Sequence, residues 1–289
     1  MQKSFKKLNW FYLPAVCVIA FFVIRPFIET VYISLCNWNG YSPTKQFIGF
    51  GNYVAIFKDP KLGRSTINTL IYCFGCTILQ NILALLVAMF VNTKFKGNNF
   101  VRVVVYLPMM ISGLVMGYMM YYFFTFDNGV LNTMLGWFGV EPIDWLSNPK
   151  LAVAAVLVVL IWQTAGDIML IYLAGLQGIS REYHEAARLD GASPFQRFKY
   201  VTLPLLTPAF STCITMCLIG GMKVFGLIIS LTNGGPNNTS HSITTYLNKQ
   251  YLAYEKAGYA SAIGLVLFLF IMLMSFLCNK YFEKKMVDL

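Results

Sequence analysis

Long apolar runs alternate with polar segments along this chain. Six of them, at roughly 10–36, 66–91, 102–125, 150–174, 205–231 and 258–280, reach the ~20 residues that a helix needs to cross a hydrocarbon core about 30 Å thick. The pattern predicts an all-α polytopic membrane protein with six transmembrane helices, forming a single domain over 1–289. The first run carries Arg25 and Glu29, four residues apart, where a helix places them on one face as a pair. It is too long for a cleavable signal peptide, and no small-residue A-x-A site follows it, so it reads as retained.

Composition agrees with a lipid solvent: 57% of the 289 residues are hydrophobic and only 12% are charged. The net charge of +10 would suit nucleic acid, but its distribution points elsewhere. With the N-terminus inside, the inner segments hold 13 Lys and Arg residues, among them Lys3, Lys6, Lys7, Lys94, Lys96 and Arg102, and the outer loops hold 7. An inside excess of this kind sets both termini in the cytoplasm and makes the basic surplus a signal of topology and anionic lipid. Nucleic acid is not an expected partner.

The seven cysteines lie mostly within apolar runs and read as small buried hydrophobes, even Cys73 and Cys76 with their redox-like spacing. His184 and His241 fall in loops on opposite sides, so no metal site is expected. Within the third loop, Val130 to Val140 reads as a short interfacial helix, with Trp137 and Trp145 near the headgroups. Tyr118, Tyr121 and Tyr122 likewise read as interface-belt residues. Thr232-Asn233-Gly234-Gly235-Pro236 is a strong break after the fifth run.

The fourth loop, between the runs at 150–174 and 205–231, differs from the others. Ser180 can cap a helix that has Glu182 in its first turn, and Gly191 supplies a left-handed stop. Ser193, Pro194 and Gln196 then form a capping-box start for a second helix, which Pro204 ends or kinks. The segment 180–204 is thus a helical hairpin on the cytoplasmic side. Glu185, Leu189 and Ala192 share helical spacing, as do Ala186 and Asp190. Ala186 and Ala187 permit close approach, and Phe195 and Phe198 offer apolar anchors at i, i+3, a mixture suited to docking in a groove of another protein.

These residues carry a resemblance. Glu185-Ala186-Ala187, then Gly191, then Leu203-Pro204, resembles the EAA loop of binding-protein-dependent ABC importer permeases. The fuller string EAARLDGASPFQRFKYVTLPLLTP is similar to the carbohydrate-uptake branch, which includes maltose-, raffinose- and glycerol-phosphate-type permeases. Phe50-Gly51-Asn52-Tyr53, Asn68-Thr69 and Leu231-Thr-Asn-Gly-Gly-Pro236 resemble further family segments, the last of the larger-partner type. The resemblance implies the type I ABC importer permease fold in a bacterial inner (plasma) membrane. It also implies a heterodimer with a second related permease, two ATP-binding subunits gripping the EAA helices, an extracytoplasmic solute-binding protein and a sugar substrate. The chain has no G-x-x-x-x-G-K-S/T sequence, so it is expected to be non-catalytic and to bind no cofactor, with ATP and Mg on the partner subunits.

Polar residues inside spans are candidates for a substrate path. Lys223 stands in the fifth run beside Gly220, Val224 and Phe225, a stretch similar in position to the family's sugar site just before L-T-x-G-G-P, although the residue types differ from the maltose pattern. Gln163 and Asp167 of the fourth run join them, with Trp162. Lys223 either faces a cavity or pairs with Asp167 as a structural ion pair. Three alternatives stand beside this reading: an ion-coupled secondary transporter, which needs more intramembrane acids than Glu29 and Asp167 supply; a membrane enzyme, for which no nucleophile–base set exists; and a same-family permease for glycerol-phosphate or another polar solute.

Overall fold

The computed structural model describes residues 12–93 and 95–285. Lys3, Lys6, Lys7 and Lys94 of the charge count, and the start of the first apolar run, lie outside them. Four straight helices are long and apolar enough to cross a membrane: α1 (Leu13–Ser34), α3 (Pro60–Asn92), α7 (Pro149–Gly178) and α13 (Ala257–Glu283). Two bent pairs complete six candidate spans: α4 (Asn98–Met110) with α5 (Gly113–Phe124), and α9 (Pro194–Leu205) with α10 (Thr207–Met222). Between them lie α2 (Gly51–Lys58), α6 (Val130–Gly136), α8 (Arg181–Leu189), α11 (Gly226–Leu231) and α12 (Ile243–Leu252), with a two-residue antiparallel pairing of β1 (Cys36–Asn37) and β2 (Gln46–Phe47).

Contacts divide the chain into two compact units, 1–60 with 247–269, and 61–246 with 270–289. In the first, α1 is exposed until Ser34 and carries the expected Arg25–Glu29 pair, Nε to Oε1 at 3.2 Å. Asn52 donates to the carbonyls of Ser34 and Cys36 at 2.8 and 2.9 Å, and Tyr53 meets the Ser34 hydroxyl at 2.8 Å. Asn52 therefore satisfies carbonyls at and just past the C-terminal end of α1, and Tyr53 meets the hydroxyl beside them. Tyr259 donates to Asp59 at 2.8 Å, and Gly258 lies so close to the Cys36 carbonyl oxygen that a Cβ would collide with it.

The second unit departs from the sequence expectation in two spans. The third run is not one helix: α4 and α5 meet at 99°. Ile111 is extended, Ser112 caps α5 by accepting from Val115, and Gln163 donates to the carbonyl of Ile111 at 2.8 Å. The fifth run is not continuous either. It breaks at Lys223–Phe225, and the carbonyls of Met222 and Val224 accept from Thr244 at 3.3 Å and Ser242 at 2.8 Å. Non-helical backbone at membrane depth is tolerated only when protein satisfies it, and these side chains do so.

Small residues let the broken segments pack tightly. A Cβ on Gly117 would strike Ser230 of α11, one on Gly166 would strike the backbone of Val105 and Tyr106, and one on Gly221 would strike Cys73. The main core gathers Tyr72, Met116, Val156, Val224 and Ile228. The seven cysteines are free thiols, five of them buried. The interfacial helix is shorter than expected, Val130–Gly136, and Trp145 is tied inward, donating to Asn132 at 2.9 Å.

The break after the fifth run is not a simple outer turn. Residues 239–242 are buried. Asn68 donates to the carbonyls of Thr239 and His241 at 2.6 and 3.1 Å, Tyr72 donates to Ser240 at 3.0 Å, and Thr69 accepts from the Ile243 N–H at 2.8 Å. Asn68→Leu strips two buried carbonyls of their donor, at about 1–3 kcal/mol each. The variant should show a lower thermal midpoint in detergent and faster proteolysis between 232 and 242; an unchanged midpoint would show that other groups hold this loop.

Candidate coupling hairpin and translocation cavity

The hairpin forms as its capping residues dictate. Ser180 accepts from Glu182 at 3.4 Å, opening α8. Gly191, at φ +78, turns the chain out of it while its N–H reaches Arg188 at 3.0 Å and that of Ala192 reaches Ala187 at 2.9 Å. Ser193 and Gln196 complete a reciprocal capping box at 3.3 and 2.8 Å. Pro204 does not end α9. A wider turn over Phe198–Thr202 absorbs the missing donor, and the chain bends by 69° at Leu206 instead.

On the hairpin, Glu185, Ala186, Asp190 and Gly191 are exposed, and Ala187, Ala192, Phe198 and Pro204 are half-buried. Phe195 is 71% exposed and Leu189 is 89% exposed, although both are apolar. A groove of about 330 Å³ brings Ala187, Asp190, Gly191 and Ala192 together with Gln196, Arg197 and Tyr200. Large apolar side chains thus stand exposed beside a groove of small residues.

A second concavity, about 230 Å³, lies among α3, α7 and α10. It gathers Asp167 and Gly220 with Gln80, Thr164, Cys217 and Gly221. The other residues expected on the substrate path lie elsewhere. Lys223 is exposed and Phe225 half-buried at the helix break, while Val224 is buried in the core. Gln163 is 6% exposed and turned toward Ile111. No ion pair joins Lys223 to Asp167: Lys223 is exposed at the end of α10 and does not line the cavity that Asp167 lines. Among the described residues no group of three His, Cys, Asp or Glu side chains could hold a metal.

The sequence profile of the binding-protein-dependent transport system inner membrane component matches residues 80–288. The chain belongs to this family. The permease is 33% identical over 287 residues to a probable ABC transporter permease protein, YurN, of Bacillus subtilis, covering 98% of each chain. It is also 33% identical over 260 residues to the trehalose/maltose transport system permease protein MalF of Thermococcus litoralis, covering 90% of this chain and 88% of that one. Among solved structures it matches a bacterial alginate ABC transporter in complex with an alginate pentasaccharide-bound periplasmic protein. That match has a TM-score of 0.84 at 25% identity and covers 97% and 96% of the two chains. The fold is that of an ABC importer permease, and the permease is an inner membrane component of such a transporter.

Several polar residues in or near this cavity escaped the sequence reading. Gln80 and Thr164 line the cavity, and Gln80 donates to the Thr164 carbonyl at 3.0 Å. Asn81 bridges to Thr77, Cys217 and Tyr172. Their signal was present: an amide inside an apolar run must find a partner. Asp167→Asn keeps the side chain's shape and removes its charge. It should change half-saturation for the transported solute by about fivefold, the roughly 1 kcal/mol by which a hydrogen bond to a charged group exceeds one to a neutral group. Unchanged uptake across a sugar panel would remove the altered residue from the path.

Proposed function

We propose that the permease is the sugar-conducting membrane subunit of an ATP-driven importer, working with a second related permease, two ATP-binding subunits and an extracytoplasmic solute-binding protein. The observation that carries this reading is the capped hairpin of α8 and α9, which presents Leu189 and Phe195 beside a groove of small residues. The chain holds no phosphate-binding loop of its own, so ATP and Mg belong to the partner subunits. Nucleotide-driven closure of those subunits moves the hairpin through differential binding to its two positions. Both termini lie in the cytoplasm, as the excess of inner Lys and Arg requires.

Sugar is the substrate class favoured by the relatives, one named for trehalose and maltose and a structural neighbour for alginate. The cavity chemistry agrees with it: Asp167, Thr164 and Gln80 supply hydroxyl-binding groups in an otherwise apolar wall. The Asp167 carboxylate in the cavity wall weighs against glycerol-phosphate. An ion-gradient mechanism has no specific observation in its favour.

Gly191→Pro forces a φ near −65° where +78° is required, and Glu185→Lys reverses the charge on the exposed hairpin face. In proteoliposomes holding the assembled importer, each should lower ATP-driven uptake by about tenfold or more, within the span of ordinary coupling energies. Normal uptake by either variant would refute the coupling role, and uptake driven by an ion gradient without ATP would refute the importer reading.

A further inference from the structure

A third concavity, about 480 Å³, has a different chemistry from the Asp167 cavity. One wall is Tyr118, Tyr121 and Tyr122, at i, i+3 and i+4 on a single face of α5. The opposite wall is the end of α11, from Ile229 to Asn233, and Leu146 closes the third side. Its volume lies within the about 300–1,000 Å³ usual for small-molecule sites. The tyrosines are not buried: Tyr122 is 69% and Tyr118 61% exposed.

Its position along the membrane follows from α7. Leu146 stands just before Pro149, the first residue of that helix, and the coupling hairpin begins at Ser180, just past its last. Thirty helical residues separate the two ends by about 45 Å. The tyrosine pocket therefore opens on the membrane face opposite the hairpin. Asp167 is 18 residues into α7, about 27 Å further along the same axis.

We infer that this pocket is an outer carbohydrate-stacking site, which receives a pyranose ring of the incoming sugar before the ring reaches the Asp167 cavity. The inference rests on the sugar-importer reading above. A tyrosine ring face carries the negative part of its quadrupole and attracts the weakly positive C–H face of a sugar. The phenol hydroxyls, each donor and acceptor, and the Asn233 amide then take the ring hydroxyls. Tyrosines of an interfacial belt face headgroups from a convex surface. Here three of them line a hollow whose far wall includes Ser230, Thr232 and Asn233.

The test uses the complete importer in proteoliposomes and radiolabelled maltose, trehalose and lactose. The unaltered importer comes first: if none of the three is taken up with ATP, the sugar reading fails and this site falls with it. With the best-transported sugar, Tyr118→Ala and Tyr122→Ala should each raise half-saturation about tenfold or more, Tyr122→Leu should match Tyr122→Ala, and Tyr122→Phe, which keeps the ring and loses one hydroxyl, should raise it only about threefold. If Tyr122→Leu transports like the parent, the ring supplies only apolar bulk and the stacking site is refuted. If the alanine variants transport normally, the pocket lies off the route, and the Asp167 cavity still stands.

Discussion

Lipid offers no hydrogen bonds, and this permease is organised around that lack. Two of its six candidate spans are broken, and each break frees carbonyls that must be met from within the protein. Gln163 of α7 meets Ile111 between α4 and α5, while Ser242 and Thr244 meet Val224 and Met222 after α10. Asn68 and Tyr72 of α3 hold the buried segment at 239–241 in the same way. Each donor sits on an unbroken helix or its adjoining loop, so the regular spans serve as the frame on which the irregular ones are hung.

The second requirement is distance. Without a hydrophobic drive between helices in lipid, packing depends on close approach. Gly117 against Ser230 and Gly221 against Cys73 are contacts that any side chain would push apart. The first joins α5 to α11 and the second seats α10 on α3, and concave space remains beside them: the Asp167 cavity toward the middle of α7 and the tyrosine-lined pocket at its start.

Much of this was legible in the residues. Four of the six apolar runs recur as single long helices, the third as the bent pair α4–α5 and the fifth as α10 followed by α11, and the caps at Ser180, Gly191 and Ser193 form as their positions imply, whereas Pro204 does not end its helix. The two breaks were not legible, because hydropathy is continuous across Ile111 and almost so across Lys223. What interrupts those helices is a partner amide or hydroxyl 18 to 52 residues away. For the same reason Gln163 read as a pathway residue although it is spent on Ile111, and Val224 read as a wall although it is packed in the core. Sequence periodicity reports which face a residue occupies; it does not report which backbone atom waits opposite.

The bend at Leu206 has a mechanical meaning. Leu206 is 1% exposed, and a side chain on Gly175 would press into it, so the joint between α9 and α10 is seated in a socket of α7. From that fulcrum α10 runs sixteen residues, about 24 Å, to the break at Lys223. A tilt of about 10° at the joint would carry the far tip sideways by about 4 Å, since displacement grows with a rod's length. A shift of α9 at this joint is therefore enlarged at the Lys223 end of α10.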